Sequence, residues 1–218
     1  MNAGDRVADS EEKRDRLVLA TLPHVAFEGW SDRALRAGVA DAGLAPEQGA
    51  LAFSGGALEM IEHWGRYGDR RMLEASQGLD AAVPVRERIA AAVRFRIEVN
   101  VPYREAVRRT MSFLALPPNT PLAITSTWGT VDAIWYACGD TSTDLSFYSK
   151  RATLAAVYGA TVLYWLDDSS DEFADTWAFL DRRIDDVLRI PKLRRRVDGA
   201  LSAIFRSPLS LCRRASGS

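Results

Sequence analysis

The sequence predicts an all-α protein, and three observations carry that reading. Apolar residues recur three and four apart in one segment after another. No stretch alternates apolar and polar residues between turn signals, as a half-buried strand would. Helix breakers punctuate the chain at Gly29, Gly43, Gly55-Gly56, Pro117-Pro118, Gly139 and Pro191.

The elements follow in order. Ser10 is placed to cap a first helix, with Glu11 and Glu12 at its positive end and Val18, Leu22 and Val25 along one side. Gly29 marks a turn before Ser31, which caps a second helix bearing Leu35, Val39 and Ala42 on one face. Ala42-Gly43-Leu44 reads as a tight turn, and Pro46 sits where a first helical residue belongs. Helix, glycine turn and short helix outline a helix-turn-helix. Further helices are expected over Ala57–Ala75, Val85–Val99 and Tyr103–Leu116. Leu122–Cys138 reads as a buried helix stopped by Gly139, and Thr141–Leu166 as the longest helix. Ser169-Ser170-Asp171-Glu172 matches a capping box opening a helix with Phe173, Trp177, Leu180, Ile184 and Val187 on one stripe. A last helix runs from about Lys192 to Arg206. Residues 1–54 are thus expected to form a helix-turn-helix region, 55–190 a larger helical domain, and 191–218 an amphipathic helix and tail.

Composition narrows the function classes. The 218 residues carry a net charge of −1, so no global charge calls for nucleic acid. Cys138 and Cys212 stand far apart without a CxxC pair, which favours a reducing compartment and no structural zinc. The first 16 residues lack the apolar core of a signal peptide, and their acids argue against a transit peptide. The nearly apolar run Ala152–Leu166 falls short of the about 20 residues a spanning helix needs. The only histidines, His24 and His63, have no acid three residues before them, so no di-iron ExxH pair exists. HExxH, GxGxxG and the P-loop are absent, and no Ser-His-Asp set can be assembled. Asp167-Asp168 reads as a helix end rather than a catalytic pair. No catalytic residue, metal or cofactor is expected.

Three features bear on function. The first is the helix-turn-helix, whose stretch from Ala37 to Gly65 has no Arg or Lys but carries Asp41, Glu47, Glu59 and Glu62. That charge has the wrong sign beside a phosphate backbone, so a structural role is expected over DNA reading. The second is the C-terminal segment. There Leu193, Val197, Leu201, Ile204 and Phe205 share a face among Lys192, Arg194, Arg195, Arg196 and Arg206. A basic amphipathic helix of this kind suits an anionic membrane surface; a helix docked on its own core is the alternative. The third is the aromatic-rich run Trp128–Trp165. Its rings either fill a core or line an apolar pocket for a lipid or isoprenoid, with Trp128, Trp135, Leu154 and Tyr158 as candidate lining.

The run Val131–Asp144, with Gly139-Asp-Thr-Ser-Thr-Asp144, continues through Phe147-Tyr148-Ser-Lys-Arg151. Later comes Phe173-Ala-Asp-Thr-Trp177-Ala-Phe-Leu-Asp-Arg-Arg183. These stretches resemble the signatures of the lipid-binding accessory family of ubiquinone (coenzyme Q) biosynthesis: GDxSTD, an aromatic-Tyr-x-Arg/Lys-Arg step, and FxDTWxFLxxR. His24–Asp32 and Phe53–Ala57 fit as well, so the resemblance spans roughly residues 14–190. The chain has Ser146-Phe147 where many members have Asn-Trp.

The resemblance implies a TetR-like fold with a non-enzymatic role. It implies a homodimer formed through C-terminal helices and a cavity holding isoprenoid quinone intermediates or phospholipid. It also implies a terminal helix touching the membrane and a patch that binds the pathway's hydroxylase. By position that patch comprises Asp140, Thr143, Asp144, Phe147, Tyr148 and Arg151. The expected location is cytoplasmic, peripheral to the inner face of the membrane, with no nucleic-acid partner. A ligand-responsive TetR-like transcription regulator is the alternative.

Overall fold

The computed structural model describes residues 3–80, 82–140 and 145–186. Among them are α1 (Ala3–Glu28), α2 (Asp32–Asp41), α3 (Pro46–Ala52), α4 (Gly56–Ser76) and α5 (Val85–Glu98). The chain continues with α6 (Arg104–Leu114), α7 (Thr120–Ala137), α8 (Leu145–Asp167) and α9 (174–186). Three short 3-10 turns, Val101–Tyr103, Pro117–Asn119 and Asp171–Phe173, precede α6, α7 and α9. No strand occurs among the described residues, and the all-α class stands.

The helix-turn-helix forms for the local reasons read from the sequence. The Ser31 hydroxyl accepts from the Ala34 N–H, satisfying one of the free donors of α2. Gly43 has φ +66, and the bonds Gly43 N to Ala40 O and Leu44 N to Val39 O close the helix with a left-handed cap. At α3, Pro46 occupies the first turn and Gln48 Oε1 accepts from the Ala45 N–H. Gly38 lies so close to Thr21 that an added Cβ would sit 2.2 Å from its hydroxyl, which sets the α1–α2 approach.

The core joins these helices to the rest. Leu17, Val18, Leu22 and Val25 of α1 are buried with Met60, Ile61 and Trp64 of α4 and Val93 and Ile97 of α5. A second anchor is Trp30, whose Nε1 donates to Thr110 of α6. The arginines of α6 satisfy helix ends that lack their own bases. Arg104 donates to the carbonyls of Trp165 and Asp168, Arg108 to that of Leu166, and Arg109 to that of Ala26. Cations there also oppose the negative end of each helix dipole.

Three expectations are corrected. The first helix begins at Ala3, so Ser10 is inside it and caps nothing; no proline or glycine stands between Asp5 and Ser10 to stop propagation. The α7 helix is not buried all round. Thr130, Val131 and Ile134 face the core, whereas Ile124 and Tyr136 are exposed. Nor does Glu172 complete a capping box. It adopts φ +47, and the capping falls to Asp168, accepting from the Thr176 N–H (2.9 Å), the Thr176 hydroxyl and the Ser170 N–H, and to the Ser170 hydroxyl, accepting from the Asp175 N–H (3.0 Å). Burial pushes the Asp168 carboxyl up, but the bonds from Thr176 and Ser170 outweigh it and hold its pKa at about 2.

Among the described residues, no helix is long and apolar enough to cross a membrane. Val187, the terminal helix and its residues Leu193, Val197, Leu201, Ile204 and Phe205 lie outside the described residues, as does Cys212.

Candidate functional site

The α7–α8 corner concentrates the residues that the motifs single out. Gly139, at φ +73, ends α7 in a left-handed cap, with Gly139 N bonded to Tyr136 O and Asp140 N to Trp135 O. This cap delivers Asp140 to the first turns of α8. There Lys150 Nζ meets Asp140 Oδ1 at 2.8 Å and Arg151 Nη1 meets Asp140 Oδ2 at 3.3 Å. Arg151 Nε also donates to Asp132 Oδ1 at 2.6 Å, and its guanidinium lies 3.4 Å from the centre of the Phe147 ring.

Arg151 is only 4% exposed, so it holds the corner together from beneath. What the corner displays is aromatic. Tyr148 is 62% exposed and Tyr136 is 75% exposed. Tyr148 packs edge-on against Phe147 at 5.1 Å and tilts over Trp128 at 6.2 Å. Of the six patch residues, the structure brings Asp140, Phe147, Tyr148 and Arg151 together; Thr143 and Asp144 lie outside the described residues. Asp132 and Lys150 join the network and were not singled out in the sequence. Asp132 stands nineteen positions before Arg151, a separation with no local helical signal.

A cavity of about 140 Å³ lies between α4, α5, α6, α7 and α8. Ile61, Trp64, Val107, Met111, Tyr158 and Val162 supply much of its wall, and Arg96 and Asn100 add polar groups. Of the four candidate lining residues, Tyr158 is in the wall. Trp128, Trp135 and Leu154 are elsewhere: Trp128 leans on Tyr148, Trp135 lies under Lys150 Nζ at 5.4 Å, and Leu154 is packed in the core. All three belong to the half of the α7–α8 pair that surrounds Arg151.

Arg96 is buried and bonds Asp69 Oδ1 at 2.8 Å, which also accepts from Thr130 at 2.9 Å. Gly68 makes room for it, since a Cβ there would come within 2.6 Å of the guanidinium. Burial raises the Tyr158 hydroxyl above its ordinary pKa, so it stays a neutral donor and acceptor at neutral pH. Burial likewise pushes the Cys138 thiol up to about 11, leaving it protonated and unreactive.

Among the described residues, Glu11, Asp15 and His63 are the group with the ligand types and spacing for a metal ion. The local bonding favours a structural role. His63 is fully buried and its Nε2 pairs with Asp15 Oδ1 at 2.7 Å. Arg70 Nη2 already contacts both Asp15 oxygens, at 2.6 and 2.7 Å. Burial lowers the His63 pKa more than the Asp15 bond raises it, so the ring is neutral at pH 7. These groups tie α1 to α4. His24 bonds Asp41 at 2.6 Å and ties α1 to α2.

Comparison with known proteins adds sequence similarity to this geometry. Residues 120–191, which contain the corner and α9, match the COQ9 family model. The chain is 35% identical to the mitochondrial ubiquinone biosynthesis protein COQ9 of Rattus norvegicus and 34% identical to that of Homo sapiens. Each alignment covers 84% of this chain, and 61% and 60% of those proteins. The chain therefore spans about 60% of the length of these curated relatives. Among solved structures, the TetR transcriptional regulator from Nitrosomonas europaea superposes with a TM-score of 0.65 at 22% identity, over 79% of this chain and 95% of that one. That likeness establishes the TetR-like fold and nothing about DNA.

Proposed function

We propose, from its similarity to the COQ9 proteins, that the chain is a non-enzymatic lipid-binding accessory protein of ubiquinone biosynthesis. It presents isoprenoid quinone intermediates from a membrane to the hydroxylase that acts on them. The homology over 84% of the chain carries this reading, because the relatives are named for that pathway.

The division of labour follows from the chemistry. A polyisoprenoid intermediate is too apolar to leave a bilayer unaided. The basic amphipathic segment around Leu193, Val197, Leu201, Ile204 and Phe205 docks on an anionic surface. One such segment binds weakly, and a homodimer doubles the contact. The cavity of about 140 Å³ accepts one end of the intermediate or of a phospholipid chain, while most of a long tail stays with the bilayer. The corner of Asp140, Thr143, Asp144, Phe147, Tyr148 and Arg151 docks the hydroxylase. Its exposed tyrosines over a fixed ionic base suit the aromatic anchors that dominate binding energy at protein interfaces. Tyr158 of the cavity wall stands seven residues along the same helix from Arg151, an axial rise of about 10 Å.

Flotation on vesicles of anionic phospholipid tests the membrane step. The full chain is expected to float and a chain ending at Ile190 to stay at the bottom. Equal flotation of the two would remove the terminal segment from this account.

A further inference from the structure

The bonds that tie α1 to α4 use one nitrogen of the His63 ring and leave the other over. His63 is fully buried, and its Nε2 pairs with Asp15 Oδ1 at 2.7 Å. Arg70 donates to both oxygens of Asp15, so the carboxylate is an acceptor only. The proton of the neutral ring therefore sits on Nε2. Nδ1 carries a lone pair, and it is buried with no hydrogen-bond partner.

That lone pair meets a second acceptor. Glu11 Oε2 lies 4.0 Å from Nδ1 and is itself buried with no hydrogen-bond partner. Arg70 Nη1 stands 3.5 Å from it, an ion pair without a hydrogen bond. Two acceptors set against one another cannot bond, and burying both unmet lowers stability. An electron-pair acceptor between them satisfies both at once. The surrounding charge has the right sign for a cation. Glu11, Asp15 and Glu59 are three carboxylates, against the two guanidiniums of Arg14 and Arg70.

We propose that His63 Nδ1 and Glu11 Oε2 together bind one divalent transition-metal ion of the zinc class, which clamps α1 onto α4. Zinc holds imidazole nitrogen and carboxylate oxygen at about 2.0–2.2 Å, so two such bonds span the 4.0 Å between these atoms. The remaining positions of the ion go to water. Asp15 is bonded to Nε2, at the other end of the ring, and this is the carboxylate–histidine contact that orients a metal-binding imidazole. A nitrogen donor selects against magnesium and calcium, which take oxygen ligands. Glu11 and Arg70 are half-exposed, so movement of surface side chains admits the ion. The site is independent of the proposed lipid role.

The test is a zinc titration of the full chain, untagged and stripped of metal, followed by proton NMR of its histidine rings. The chain has only two histidines, and His24, bonded to Asp41, serves as the internal control. The expected result is a saturable shift of the His63 resonances at one zinc per chain, with His24 unmoved. Magnesium at the same concentration should move neither ring, and the melting temperature should rise with zinc. Glu11→Gln, at a half-exposed position, is expected to weaken zinc tenfold or more in a chain that stays folded. Zinc that leaves the His63 resonances in place, an equal response to magnesium, or an unchanged affinity in Glu11→Gln would overturn the proposal. A water molecule donating to both acceptors gives the first of these results. The first two outcomes need no variant to fold.

Discussion

The α1–α4 seam and the α7–α8 corner are built on the same device and put it to opposite uses. Each has an arginine paired with carboxylates contributed by another part of the chain: Arg70 with Asp15, and Arg151 with Asp132 and Asp140. In the first region the network holds α1 against α4 around the buried His63. The second network lies beneath exposed aromatic rings and sets their positions. In this TetR-like fold one network joins two helices and the other carries displayed rings. Function follows from which side chains a network displays, and fold likeness alone does not reveal it.

The largest effect expected is in the scaffold. Leu22→Ala removes a fully buried side chain of α1 and should lower unfolding free energy by about 3 kcal/mol in urea titration. Binding to the hydroxylase, measured on the fraction still folded, should be unchanged. Arg151→Leu strikes the other region. It leaves Asp140 buried without its arginine, though half-exposed Asp132 softens the loss, so a cost of about 2 kcal/mol is expected. Hydroxylase binding should fall with it, and an unchanged affinity would separate the corner from the partner.

Asp168→Ala leaves the Thr176 N–H and hydroxyl without their acceptor and should cost about 1 kcal/mol. Its pH signature has a definite sign. The folded pKa of about 2 lies below the ordinary carboxylate value, so the stabilisation is complete above the unfolded pKa near 4. It is lost as pH falls toward 2. Asp168→Asn should flatten that acid limb of the stability curve, and an identical limb would show that Asp168 does not set it. The smallest stability effect is that of Tyr148→Ala, within about 0.5 kcal/mol for so exposed a side chain. The same change should weaken hydroxylase binding about tenfold or more, which sharpens the contrast between a residue that displays and one that supports.

The sequence resolves most of the fold because local chemistry sets it. Ser31, Gly43, Pro46 and Gly139 each act at the turn where they stand. The errors arise where a neighbouring turn or a distant partner decides. Ser169-Glu172 has the letters of a capping box, but Asp168 does the work because a turn at Glu172 re-aims the chain. The arginine caps from α6 onto the ends of α8 and α1 join residues about sixty and eighty positions apart, beyond any periodicity. At the corner, the motif identified Arg151 and Asp140, whereas Asp132 needed the fold. The cavity was least legible. Trp128, Trp135 and Tyr158 look alike as aromatic residues of one apolar run, and only the helix crossing decides that Tyr158 faces the space.

The most direct measurement of the lipid-handling claim is native mass spectrometry of the full chain purified from cells that make ubiquinone. The expected result is a protein peak accompanied by bound species whose masses, on release, are those of an isoprenoid quinone intermediate or a phospholipid. A chain that arrives bare from such cells, and remains bare after incubation with quinol-containing vesicles, would contradict it.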